Sequence, residues 1–205
     1  MFLSNYQESA SADDMPATFY VAAVTSWPGE TGGQTNVLSA RIAMEMDAAS
    51  SGIRDNTNQE EGTVSAVGTS RVRFFEVYDA TTSGNYLGYA IAGNNTVAPF
   101  LVDSTEVTAN KVICPTLAAS LVADDEVVFI SLPGVSLPAG ITEGTAYYVI
   151  GTPADSRIQV SATQGGSALD ITGLGGGLVS KISYKDLSEN DTLRINAGDF
   201  VSQFS

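Results

Sequence analysis

Three runs of adjacent acids, Asp13-Asp14, Glu60-Glu61 and Asp124-Asp125-Glu126, are the residues of this chain whose types and spacing come nearest to chemistry. A glycosidase needs two carboxyls facing one cleft, about 5–10 Å apart. Neighbours on a strand point to opposite faces, so these runs do not supply that geometry by themselves and read as solvated charge. The chain has no histidine, which excludes Ser-His-Asp and Cys-His chemistry and histidine-based zinc sites. Its one cysteine, Cys114, lies in the apolar stretch "KVICPTL" and reads as a buried structural thiol with no base to activate it. "DNTNQEE" (55–61) is an oxygen-rich loop of the kind that holds calcium. It lacks the sixth-position glycine and the flanking helices of an EF-hand. "GLGGG" (173–177) is not a dinucleotide fingerprint, because Leu178 stands where the third glycine belongs, and it reads as a hairpin loop. No residue is assigned a catalytic, cofactor-binding or metal-binding role, and no cofactor is expected.

Charge narrows the partners. Asp and Glu outnumber Lys and Arg 23 to 9, for a net charge of −14. Such a chain is repelled by phosphate backbones and anionic lipid, so neither nucleic acid nor membrane is an expected partner. No apolar run approaches the roughly 20 residues of a spanning helix. The first residues, "MFLSNYQESASADDMP", lack the basic region and apolar core of a signal peptide. In that polar arm Phe2, Leu3 and Tyr6 are the side chains expected to bury against a partner, since the segment is too short to fold alone. Trp27 reads as either a core residue or a contact anchor. Arg71 and Arg73 are expected to share one strand face and to pair with acids inside the molecule. A sugar-binding groove would draw on Tyr86, Tyr89, Tyr147 and Tyr148.

The elements that must position these residues are strands. In "VLSARIAMEMD" (37–47) Leu38, Ala40, Ile42, Met44 and Met46 fall on one face, a period of two that favours strand over helix. "ATFYVAAVTSW" (17–27), "SRVRFFEVYD" (70–79), "NYLGYAIAG" (85–93) and "EVTANKVICP" (106–115) read as further strands, the middle two joined as a hairpin. From about residue 117 the runs shorten and Gly/Pro breaks become regular. "DEVVFISL" (125–132), "TAYYVIG" (145–151), "SRIQVSA" (156–162), "ALDIT" (168–172) and "LVSKISY" (178–184) suggest a small sandwich or barrel. "DTLRINAGDFVSQF" (191–204) reads as a hairpin, and no helix of three turns is expected. The fold class is all-β: two small antiparallel sandwich- or barrel-like domains with long loops. The expected divisions are an extended N-terminal arm (1–16), a β-domain for partner contact (17–116), a second module (117–185) and a C-terminal hairpin (186–205), with a return to the first domain as one option for it.

Within the second module, Leu137-Pro138-Ala139-Gly140, Gly144-Thr145, Tyr147-Tyr148-Val149, Ile158-Gln159-Val160-Ser161, Gly165-Gly166 and Asp170-Ile171-Thr172 occur in a set order. Residues 121–179 resemble a small β-module of tailed-bacteriophage virion proteins, found in head-decoration, tail and tail-fibre proteins. The resemblance implies a non-enzymatic virion component assembled in the host cytoplasm, with no catalytic residue carried over. The leading expectation is a head-decoration or cement protein bound as lattice copies, or as a homo-oligomer, to the major capsid protein or other virion proteins. The alternatives are a tail component (tail tube, baseplate or fibre attachment) and a carbohydrate-binding adhesin.

Overall fold

Period-two alternation becomes strand almost wherever it occurs. The computed structural model describes residues 2–3, 16–47, 53–93 and 97–203. About 46% of it is strand and 6% helix, so the fold is all-β with antiparallel sheets. The chain divides into two compact units, Met1–Ala92 with Tyr184–Ser205, and Gly93–Ser183.

In the first unit a five-stranded sheet runs in the order β1 (Phe2–Leu3), β8 (Tyr86–Ile91), β7 (Phe74–Tyr78), β2 (Thr18–Val24), β3 (Ile42–Glu45). Three two-stranded ladders complete the unit, each closing on a strand from the chain's end. β15 (Lys185–Ser188) pairs with β6 (Thr69–Val72), β16 (Thr192–Ile195) with β5 (Glu60–Thr63), and β17 (Val201–Gln203) with β4 (Ile53–Asp55). The core joins both sets: Phe19, Val21, Ile42, Met44, Val77 and Leu87 pack with Leu187, Leu193, Ile195 and Phe200. Buried Asn56 ties the two parts of the chain together. Its amide donates to the Asn58 and Asn196 carbonyls (2.7 and 2.9 Å), and its Oδ1 accepts from the Phe200 amide (2.9 Å).

The second unit is a closed barrel of six strands. Its order is β10 (Val112–Ile113), β13 (Arg157–Ser161), β12 (Ala146–Ala154), β11 (Glu126–Ile130), β14 (Gly175–Ile182), β9 (Val97–Val102), with β9 returning to β10 through Leu101 and Ile113. Closure leaves no exposed edge. Phe100, Phe129 and Tyr147 fill the interior edge-on at 5.0 and 5.9 Å, with Val149, Ile158, Val160 and Val179 around them. The ends of this unit lie side by side: a Cβ placed on Gly93 would collide with the Ser183 side chain.

Several expectations need correcting. The unit boundary falls at Gly93, not at residue 117, because β9 and β10 complete the barrel. Segment 106–115 is not one strand. Helix α1 (Ser104–Ala109) opens it, since Asp103 Oδ1 accepts from the Thr105 and Glu106 amides, and Asn110 ends it in the left-handed region at φ 53°. A second short helix, α2 (Pro115–Ala118), follows β10. The expected strand 70–79 breaks at Arg73 into β6 and β7. Segment 168–172 is irregular, although Ile171 is buried. The 191–204 hairpin does not pair with itself, because each arm pairs with an earlier strand. The last three residues of "GLGGG" are not loop either: Gly175, Gly176 and Gly177 pair with Val102, Leu101 and Phe100. There the backbones approach so closely that a Cβ on Gly175 would lie 2.5 Å from the Ser136 carbonyl oxygen, and one on Gly177 would strike that of Ile130.

Cys114 is fully buried in the barrel, and burial pushes its thiol up to about 11. A raised folded value means that its contribution to stability is complete below the ordinary thiol range and is lost as pH climbs toward 11. A thiol-reactive dye at pH 8 should therefore label the protein only after denaturation. Fast labelling of the native protein would show that the barrel opens at that point.

Candidate functional site

The first unit presents an aromatic and polar cluster on the sheet face opposite its main core. Along β7, Phe75 and Val77 belong with the core, whereas Phe74, Glu76 and Tyr78 alternate to the other side. Register places Tyr89 across from Glu76, and Tyr86 across from Tyr78. Trp27 packs edge-on to Tyr89 at 4.5 Å and to Phe74 at 5.4 Å. Tyr86 lies edge-on to Tyr78 at 5.7 Å, and the Arg41 guanidinium sits 3.3 Å over the Tyr78 ring.

These side chains hold the loop 28–36. Glu76, fully buried, accepts at Oε1 from the Gln34 amide (2.9 Å) and at Oε2 from the Tyr78 hydroxyl (2.6 Å). Tyr86 donates to the Gly29 carbonyl at 3.0 Å. Gly32, at φ 63°, rests on the Tyr86 ring, where a Cβ would lie 2.5 Å from a ring carbon. Asn36 Oδ1 accepts from the Ala23 and Leu38 amides, both at 3.1 Å. Burial, then the hydrogen bond to Glu76, pushes the Tyr78 hydroxyl up to about 12. Burial, followed by the negative charge of Glu76, drives Tyr86 higher still. Both phenols stay protonated at any physiological pH, so they act as fixed donors in a loop clamp.

Three of the four expected contact residues meet at one strand. Phe2 stands opposite Tyr89 in the β1–β8 register and Leu3 opposite Gly88, while the Trp27 ring rests on Tyr89. Tyr6 lies outside the described residues, as do Asp13, Asp14 and the rest of the arm over 4–15. Glu76 and Arg41 went unremarked in the sequence. The signal was present in "FFEVY", where one acid interrupts an apolar run.

The other candidates resolve into structural duties. Arg71 pairs with Asp186 through two contacts of 2.7 Å and stacks on Tyr184 at 3.7 Å, so its partner is internal. The Arg71 guanidinium holds the Asp186 carboxyl below its usual range. Among the acidic runs, Glu61 pairs with Arg194 (2.7 Å) and Asp125 with Lys181 (2.7 Å), and Glu126 is buried in the barrel wall. The segment 55–61 runs from the end of β4 into β5, and among the described residues no three His, Cys, Asp or Glu side chains are grouped as a metal site would group them. Tyr147 is buried, its hydroxyl accepting from the Thr142 amide (2.9 Å), and Tyr89 is buried in the other unit.

The family model described as "Podophage GP4 fiber I protein gp80" matches residues 4–111, more than half of the chain. The chain belongs to this gp80 family. It is therefore a structural protein of the phage virion. The matched span holds the aromatic cluster and the 28–36 loop, and runs on through β9 and α1. The module resemblance read from the sequence lies over 121–179, beyond the gp80 match. A fibre family fits the tail-component alternative better than head decoration, and it does not single out the major capsid protein as partner. No curated protein matches the chain.

Proposed function

We propose that this chain is a non-enzymatic structural component of a phage tail fibre apparatus, held among other virion proteins by its first unit. One observation carries the reading: the fibre-family match over 4–111 holds the aromatic cluster of the first unit and the 28–36 loop that it anchors. The absence of histidine and the internal pairing of Glu61 and Asp125 support a non-enzymatic role. The barrel is proposed as the appended unit that faces solvent.

Immunogold labelling of particles is the direct test, with an epitope in the exposed Asp155–Ser156 turn. Label confined to the tail is expected, whereas dense label over the head would restore the decoration reading. Two deletions locate the attachment. Replacing residues 93–183 with a short Gly-Ser link should leave the protein on the particle, because the ends of that unit are adjacent. Removing residues 1–15 should release it. A cut at 118 would be uninformative, since it removes β13 and β14, the main partners of β10 and β9.

A further inference from the structure

We propose that the outer wall of the barrel around Gly176 is a docking face for a different protein of the particle, one whose contact surface has an apolar centre rimmed by lysine or arginine. Seven large apolar side chains are exposed among the described residues, and four of them, Leu101, Leu132, Val135 and Leu174, belong to this wall. In the β9–β14 ladder Leu101 stands opposite Gly176, and Pro99 opposite Leu178. A Cβ on Gly176 would lie 3.8 Å from Leu101 Cδ1 and 3.8 Å from Val135 Cγ1, so the glycine floors a notch between those side chains. Leu132 bridges to Val135 across a turn. Leu174, 63% exposed, stands two residues before Gly176 and so on the same side of the strand. The face is held in shape: the Gly176 amide donates to the Ser136 carbonyl at 3.1 Å, and the Val135 amide to that of Leu132 at 2.9 Å. Single leucines scattered over a surface are ordinary, whereas four grouped on one wall mark an interaction site.

Charge selects the occupant. The three segments that build the wall, 97–102, 127–142 and 171–180, contain no charged residue, in a chain of net charge −14. An acid bounds each of them: Asp103 follows the first, Glu143 follows the second and Asp170 precedes the third, all three exposed. Glu143 sits beside the wall, since its Oε1 accepts from the Ser131 amide and hydroxyl at 2.8 and 2.7 Å, next to Leu132. Asp103 follows Val102, the ladder partner of Gly175. Of the barrel's three basic residues, Arg157 and Lys181 are paired with Glu106 and Asp125. A second copy of this chain would set the acidic rim against its own kind, and like charges facing each other across an interface cost affinity. A partner with basic residues around an apolar centre gains at both the centre and the rim. The inference needs only that the chain is part of the virion. It gives the barrel a recruiting role distinct from attachment through the first unit.

The test is photo-crosslinking in assembled particles, with p-benzoylphenylalanine in place of Leu174 in the full-length chain. The expected product is an adduct to a different virion protein, through a segment whose apolar residues are flanked by Lys or Arg. Adding Leu101→Glu should abolish the adduct, and adding Glu143→Lys should weaken it. Both side chains are exposed, so circular dichroism of these variants should match the parent. The same label in place of Val67, exposed on the first unit, should not give that adduct. No adduct from position 174, an adduct only between copies of this chain, or the same adduct from both positions would overturn the proposal. So would an adduct indifferent to Leu101→Glu and Glu143→Lys. The fibre reading stands or falls separately, because the adduct is expected wherever on the particle the gold label lies.

Discussion

Glu76→Ala should lower the unfolding midpoint of the first unit by about 5–15 °C, at roughly 2–4 °C for each kcal/mol lost in a chain of this size. Two groups lose their acceptor at once, the Tyr78 hydroxyl and the Gln34 amide. Each buried donor left unsatisfied costs about 1–3 kcal/mol, and the smaller side chain adds a void in a face already packed with Phe74 and Tyr89. Glu76→Gln keeps an acceptor and a similar volume, so its effect should be much smaller. Trp27 is the chain's single tryptophan and begins the clamped loop, so its fluorescence reports the site without labels. Both the midpoint and the emission maximum should move in Glu76→Ala. An alanine variant that melts and fluoresces like the parent would show that Gln34 and Tyr78 find water instead, and that the clamp is incidental.

The second large effect belongs to the barrel. Phe129 is fully buried on β11, edge-on to Phe100 and Tyr147 at the centre of the interior. Phe129→Ala should cost about 3–5 kcal/mol, the range for removing a buried aromatic ring from a core that cannot collapse around the gap. The closed ladder is the reason for expecting the upper part of that range. Six strands bonded in a ring cannot shift inward independently, so the void persists. Phe129→Leu should lose far less. Denaturant titration measures both, and a loss below about 1 kcal/mol for alanine would mean the interior relaxes freely.

Strand positions were legible because alternation is local: Phe19, Val21 and Ala23 on β2 and Ile42, Met44 and Met46 on and beside β3 all face the core as their spacing required. Pairing was not legible, because the partners are distant. Nothing near Val97–Val102 announces that it closes a barrel with Gly175–Ile182, and nothing near Thr192 points to Thr63. The glycine run was misread for a related reason. Its role is close backbone approach to Ser136 and Phe100, which exists only once the sheet is assembled. Helix α1 was legible in principle, since Asp103-Ser-Thr-Glu106 is an N-terminal capping pattern, but β-branched residues on either side favoured strand. For the candidate site, aromatic type drew attention to Phe2, Leu3 and Trp27. Glu76 escaped because an acid within a strand reads as solvent-facing until a loop is seen to cover it.

The strands that complete the first unit, β15 to β17, are made after the whole of the barrel. During vectorial synthesis the barrel therefore has all its strands on hand while β4, β5 and β6 still wait for their partners. Leu187, Leu193, Ile195 and Phe200 reach the first unit's core only after the barrel has been made. Domains ordinarily fold in the order they emerge; here the unit whose strands begin to emerge earlier is the later of the two to close. A message cut short before codon 184 would yield a finished barrel carried on an unfinished base, so assembly is offered a closed first unit only from chains translated past that point.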